Sequence, residues 1–112
     1  MSEALLIKCP IKSIKQFTIE TVQENDGTTP VPFPGCTATL TLKNDYVDTT
    51  KVMEITANVS GDNNNEFVFT TTVAGTTKNP GRYKGDIKIT NGTTIVNRDI
   101  KLDWIFEPVV GD

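Results

Sequence analysis

The chain has 112 residues, a formal net charge of −3 at neutral pH and no histidine. This length predicts a single domain over residues 1–112, with one core that needs neither a disulfide nor a metal. The acidic balance argues against a nucleic-acid partner, because phosphate binding requires a clustered basic surface.

Neither a secretion signal nor a membrane-spanning segment is expected. The N-terminus lacks a basic region followed by a long apolar run, and no stretch approaches the roughly 18 apolar residues that cross a bilayer. We therefore expect synthesis in a cytoplasm, with or without later release in an assembled form. Cys9 and Cys36 fit a reducing compartment, and a disulfide between them is the less favoured alternative.

Alternating apolar and polar residues predict about seven β-strands and no helix. The clearest strand is residues 36–43, where Cys36 is in phase with Ala38, Leu40 and Leu42 and is expected in the core. In chain order the predicted strands cover residues 4–8, 13–22, 36–43, 51–59, 66–73, 82–90 and 93–106. Eighteen threonines and many valines and isoleucines also favour β structure.

Three segments outside the central strands are candidate attachment regions. Residues 1–12 are predicted to be an N-terminal arm or edge strand, although Cys9-Pro10 interrupts its pattern because proline cannot donate to a ladder. Residues 23–35 carry three prolines and are predicted to be a long irregular loop, and residues 107–112 a C-terminal tail. We expect the termini and this loop to be free to act as arms.

The last two strands are predicted to form a hairpin around Asn91-Gly92. This dipeptide favours a type I′ turn, which needs positive φ at both central residues. Each arm has one apolar face, formed by Tyr83, Gly85, Ile87 and Ile89 on the first arm and by Ile100, Leu102, Trp104 and Phe106 on the second.

Short alternating strands separated by turns are typical of sandwiches and barrels. We favour an all-β fold, an immunoglobulin-like antiparallel β-sandwich of about seven strands without a disulfide. Trp104 is expected to be a large core residue of this sandwich, and Tyr83 to pack near the start of its strand.

The residues that could carry chemistry do not form a catalytic motif. Without histidine the chain cannot build a Ser-His-Asp or Cys-His site, and Asp99 and Asp103 are interpreted as a solvated strand face. Two cysteines cannot make an ordinary zinc site, and the Asn/Asp-rich turns do not match a calcium loop. We expect no enzyme activity, no cofactor and no metal.

The order of these motifs resembles an immunoglobulin-like domain of tailed-bacteriophage structural proteins. It is most similar to the N-terminal domain of phage baseplate upper proteins, over about residues 36–106. The matching motifs are Ala-Thr-Leu-Thr-Leu at 38–42, Pro80-Gly81 with Tyr83, Gly85-Asp86-Ile87 with Ile89, and Asn91-Gly92 before a long last strand. The chain ends where a baseplate protein continues into a fibre-attaching region, and residues 1–35 do not match.

The resemblance implies a non-enzymatic structural protein of a virion, in the baseplate, a tail or neck accessory, or a head decoration. Its expected partners are other virion proteins or further copies of itself, with neither nucleic acid nor membrane involved. Candidate partner contacts are Leu5, Leu6, Ile7, Phe33 and Tyr46. An arm at residues 4–8 would add a strand to a neighbour's sheet. The alternative is a small ligand- or carbohydrate-binding module that uses the loop aromatics Phe33 and Tyr46.

Overall fold

A computed structural model describes residues 5–23, 25–45 and 50–109 of the chain. Seven β-strands and one helical turn make up the regular structure of this part. They are β1 (Leu5–Pro10), β2 (Gln16–Glu20), β3 (Thr37–Lys43), β4 (Met53–Ser60), β5 (Glu66–Thr70), α1 (Val73–Thr76), β6 (Gly81–Asn91) and β7 (Thr94–Glu107). All seven predicted strands are therefore confirmed, with ends that differ by a few residues.

The strands form one mixed sheet in the order β1-β7-β6-β3-β4-β5-β2. Every neighbouring pair is antiparallel except β1 and β7, which run parallel with Leu5 opposite Leu102 and Cys9 opposite Phe106. The prediction of a purely antiparallel arrangement was wrong for this pair. Residues 11–15 cross from one edge of the sheet to the other, so β1 and β2 do not pair as a hairpin.

The sheet is curled like a half-barrel. β4 pairs with β3 over six residues, but it pairs with β5 only at Val59 and Ser60 before the two strands separate. The curl brings β2, at one edge of the sheet, back over β7. The ring of Phe17 on β2 accordingly lies 5.7 Å from that of Trp104 on β7. Phe17 also stacks on Phe69 of β5 at 5.5 Å.

The concave side of the sheet holds the core. Its buried residues alternate along the strands as predicted, which confirms the inward faces of the β6–β7 hairpin and of β3. The buried apolar residues are Cys9, Cys36, Ala38, Leu40, Leu42, Met53, Ala57, Phe67, Phe69, Ile87, Ile89, Leu102, Trp104 and Phe106. Both cysteines are free thiols, so the expectation of no disulfide is confirmed.

Trp104 is fully buried, as predicted for a large core residue. The indole packs edge to face with Phe17 and with Phe106. Its Nε1–H has no hydrogen-bond partner among the described residues. Aromatic packing therefore stabilises the buried indole, whereas its unpaired N–H opposes burial.

Two local predictions were wrong. The pair Asn91↔Thr94 closes the β6–β7 hairpin, so Gly92 and Thr93 form the turn, and only Gly92 has positive φ (62°). A type I′ turn at Asn91-Gly92 is excluded, whereas positive φ at the first central residue is typical of type II′.

The second error concerns the strand predicted over residues 66–73: it ends at Thr70, and residues 73–76 form a helical turn. The Thr72 side chain accepts a hydrogen bond from Gly75 N–H at 2.9 Å and caps this turn. Val73, predicted to be in phase with Phe67 and Phe69, is consequently half exposed.

Two buried hydroxyl groups fasten the crossing between β1 and β2. Thr76 Oγ1 accepts a hydrogen bond from Ser13 N–H at 2.8 Å and donates to the Ser13 carbonyl at 2.9 Å. Thr71 Oγ1 accepts from Lys15 N–H at 2.8 Å. These bonds satisfy backbone groups that have no strand partner, and they hold residues 13–15 against α1 and the end of β5.

The described part of the proline-rich loop is not a free arm, contrary to expectation. Thr21 and Val31 exchange hydrogen bonds, through Val31 N–H to the Thr21 carbonyl and the Thr21 hydroxyl to the Val31 carbonyl. Phe33 N–H donates to the Asn64 carbonyl at 2.7 Å. The loop is therefore folded against the β4–β5 turn.

Candidate docking groove

The two edge strands of the sheet face each other across an open groove of about 530 Å³. Most of its surface is apolar. The lining residues belong to β1 and β2, except for one that directly precedes β2. They are Leu5, Leu6, Ile7, Lys8, Lys15, Phe17, Thr18 and Ile19. The half-barrel is thus open along the line where a further strand would close it.

The β1 edge presents both apolar side chains and unpaired backbone groups. The bond from Ile11 N–H to the Glu107 carbonyl continues the ladder with β7, so the backbone groups of odd-numbered residues of β1 pair with β7, and the N–H and C=O groups of Leu6 and Lys8 face the open edge. Proline is tolerated at position 10 because its missing N–H falls on this unpaired side. Leu6 is 56% exposed and Leu5 40%.

The β2 edge follows the same logic. The bonds of Lys15 with Thr71 and of Thr21 with Asn65 show that odd-numbered residues turn their backbone groups toward β5. The alternation of an antiparallel ladder then turns the N–H and C=O groups of Gln16, Thr18 and Glu20 toward the open edge. The side chains of Phe17 and Ile19 are half-buried and pack against the core from this strand.

The charge in the groove is positive and lies at one end. Lys8 is near the end of β1 and Lys15 directly precedes β2, so both lie beside the 11–15 crossing that joins the two strands. The described lining residues include no aspartate or glutamate. This local excess of positive charge contrasts with the net charge of −3 of the whole chain.

The structure brings together only part of the predicted contact set. Leu5, Leu6 and Ile7 lie together on β1 and line the groove. They pair with their own β7 and do not form a free arm, so the N-terminal segment is an edge strand in its described part. Phe33 is half-buried against the core, away from the groove lining, and Tyr46 lies outside the described residues.

Sequence reasoning missed the β2 side of this surface. A strand over residues 13–22 was predicted, but the position of Phe17 and Ile19 at an open edge depends on which strands flank β2. The sequence carried one usable indication, because the charged residues Lys15 and Glu20 flank the apolar residues of this segment, as is common in edge strands.

The alternative of a carbohydrate site on Phe33 and Tyr46 gains no support from the described geometry. The ring of Phe33 is partly covered by the core, whereas sugar-binding platforms use exposed aromatic faces.

A second groove of about 580 Å³ is polar and includes Lys12, Lys51 and Lys78. Lys51 Nζ forms an ion pair with Glu54 at 2.8 Å, so its charge is already balanced.

Two described carboxyl groups have pKa values below their ordinary range. The Lys51 hydrogen bond lowers the pKa of Glu54 against a smaller opposing effect of burial, and hydrogen bonds from Thr29 and Thr28 lower the pKa of Asp26 to about 2. Both carboxyl groups are at the surface and have structural partners. Within the described ranges, no three His, Cys, Asp or Glu residues are placed to hold a metal ion.

In the described part of the chain no helix is long and apolar enough to cross a membrane. No protein-family model matches the chain, and no curated protein is significantly similar to it. The groove between β1 and β2 combines exposed apolar side chains with two open strand edges.

Proposed function

We propose that the protein is a non-enzymatic structural protein of a tailed-bacteriophage virion, which docks onto other virion proteins through the groove between β1 and β2. The observation that carries the proposal is the exposure of Leu5 and Leu6 beside two unpaired strand edges. Exposed apolar side chains next to open edges are costly in a free protein and are typical of surfaces that a partner covers. The motif resemblance supplies the virion as the setting.

We further propose that the curled sheet is an immunoglobulin-like sandwich. In this interpretation β2 and β5 form one layer and the other five strands form the second, with β4 joining them at a corner. The contact of Phe17 on β2 with Trp104 on β7 supports two facing layers.

Tyr83 gives independent support for this fold. Its hydroxyl donates to the Asn79 carbonyl at 2.7 Å, just before β6 begins. A tyrosine near the start of a strand that bonds back to the preceding backbone is a feature of immunoglobulin-like sandwiches.

Incorporation into particles tests the proposed function. The gene would be inactivated in a phage that carries it, and the wild-type protein or a variant would be supplied in trans. Purified particles would then be assayed for the protein by mass spectrometry. We expect the wild-type protein in particles at a fixed copy number. Leu6→Asp, which puts a charge on the apolar edge, should reduce incorporation at least tenfold.

Val96→Asp is the matched control, because Val96 is 44% exposed on β7 and does not line the groove. It should be incorporated normally. Absence of the wild-type protein from particles would refute the virion role, whereas equal incorporation of both variants would refute docking through the groove.

A further inference from the structure

We propose that the groove receives an extended segment of a partner polypeptide, which adds as an antiparallel strand to the free edge of β2 and places a carboxylate against Lys8 and Lys15. This inference deepens the proposed function, on which it rests, by defining the chemistry of the partner. It requires a peptide with apolar side chains at alternate positions and an acidic residue near its C-terminal end.

The backbone geometry of β2 selects an extended peptide. Gln16, Thr18 and Glu20 turn three N–H and three C=O groups toward the open edge, and β2 has β5 as its single neighbour among the described strands. A helix or a compact small molecule cannot satisfy this repeating row of groups. A strand satisfies it with the same spacing as the sheet.

The side chains of the groove select alternating apolar residues. Phe17 and Ile19 lie two residues apart on one face of β2, and Leu5 lies across the groove on β1. An added strand would direct every second side chain toward these residues. Burying Phe17, Ile19 and Leu5 in this way removes apolar surface from water at about 25 cal/mol per Å².

Charge fixes the direction of the added strand. Lys8 and Lys15 lie at the end of the groove where β2 begins, and Glu20 ends the strand at the other side. In antiparallel pairing the C-terminal end of the partner strand lies beside the start of β2, so its carboxylate meets the two lysines. A basic residue at the N-terminal end of the partner would lie near Glu20.

Amide hydrogen exchange of the full chain measured by NMR tests the pairing directly. The probe is the peptide acetyl-Lys-Thr-Val-Thr-Val-Thr-Asp-amide, titrated to millimolar concentration. We expect saturation to slow the exchange of Gln16, Thr18 and Glu20 at least tenfold. Phe17 and Ile19, whose amides already pair with β5, should change little.

Two results in this experiment would overturn the proposal. The first is no binding, or protection confined to residues outside the groove. The second is protection of Gln16 and Thr18 in the peptide-free protein that increases with protein concentration, because it would show that a second copy of the chain occupies the edge.

Variants separate the backbone and charge contributions. Thr18→Pro removes an outward N–H without removing a bond to β5 and should weaken binding at least tenfold, whereas Thr18→Val keeps that N–H and should bind as the wild type does. Lys15→Glu leaves the edge intact and should weaken the preference for the probe over the charge-reversed peptide, with aspartate first and lysine last, because Lys8 alone then attracts the carboxylate. Unchanged preference in Lys15→Glu would refute the assigned direction even if Thr18→Pro fails to fold.

The outcomes distinguish this inference from the virion role. If the protein is found in particles but its β2 amides gain no protection from the peptide, the proposed function stands and the strand-addition mechanism is refuted.

Discussion

Gly85 shows how tightly one position of the core is packed. It is buried in β6 between Leu42 of β3 and Leu102 of β7. A Cβ at this position would lie 2.6 Å from a Leu42 methyl carbon and 2.9 Å from the Thr41 carbonyl oxygen. The close approach of the three strands therefore requires the absence of a side chain.

Gly85→Ala should consequently lower the free energy of unfolding by about 1–3 kcal/mol, through overpacking against backbone that cannot move easily. Urea denaturation followed by Trp104 fluorescence measures this loss. Thr56→Ala, a substitution at an exposed position of β4, is the control and should change stability by about 0.5 kcal/mol or less. Equal stability of the two variants would contradict the close packing at Gly85.

Asp26 organises the turn within the proline-rich loop. Its carboxylate accepts hydrogen bonds from the backbone N–H groups of Thr28 and Thr29, each at 2.9 Å, and from the Thr29 hydroxyl. These bonds lower its pKa from 3.8 to about 2. The charged form is therefore the one that the folded loop stabilises.

The pKa of Asp26 is lower in the folded protein than in the unfolded chain. The stabilisation of the folded loop by the Asp26 carboxylate is therefore fully present above pH 3.8 and is lost as the pH falls through about 2. Between pH 5 and pH 1.5 the amides of Thr28 and Thr29 should lose protection against exchange in parallel with protonation of Asp26, observed by NMR. Asp26→Asn should abolish this pH dependence. A titration midpoint near 4 would contradict the hydrogen-bonded geometry.

At the scale of elements, α1 and the crossing at residues 13–15 depend on each other. Thr76 is fully buried and bonds both backbone groups of Ser13, while Thr72 caps the helical turn that positions Thr76. The crossing in turn determines where β1 ends and β2 begins. A helical turn of four residues therefore contributes to the separation of the two sheet edges.

Thr76→Val keeps the shape of the side chain and removes the hydroxyl, so it leaves Ser13 N–H buried without an acceptor. We expect a loss of about 1–3 kcal/mol in the free energy of unfolding, measured by urea denaturation. Thr77→Val is the control, since the Thr77 hydroxyl is exposed and water can replace its partner. A loss as large in Thr77→Val would show that the buried network is not the cause.

At the scale of the whole molecule, the proposals require that the partner be a different polypeptide. The chain should therefore be a monomer of 12.3 kDa at micromolar concentration, as measured by light scattering at physiological salt. Leu6→Asp should leave this mass unchanged. A discrete dimer, trimer or hexamer would contradict the prediction, and it would place the self-contact on the groove if Leu6→Asp dissociated it.

The sequence by itself determined where the seven strands lie, to within a few residues, and which faces of β3, β6 and β7 are buried. In β3 the period of two between Ala38, Leu40 and Leu42 was sufficient, because side chains of a strand alternate between its faces whatever its neighbours are. The same local rule located the inward face of β7, including Trp104. The expectation of two free cysteines rested on the absence of a recognisable secretion signal, and both thiols are free.

Only the tertiary structure decided which strands are neighbours. The pairing of Leu5 with Leu102 joins residues nearly the whole chain apart, and backbone hydrogen bonds carry no sequence code for such a choice. The position of the β6–β7 turn depended on register shifts between Ile87 and Thr90, and the turn at α1 on the Thr72 cap. The groove exists because β1 and β2 are both edges, a property that no single strand has by itself.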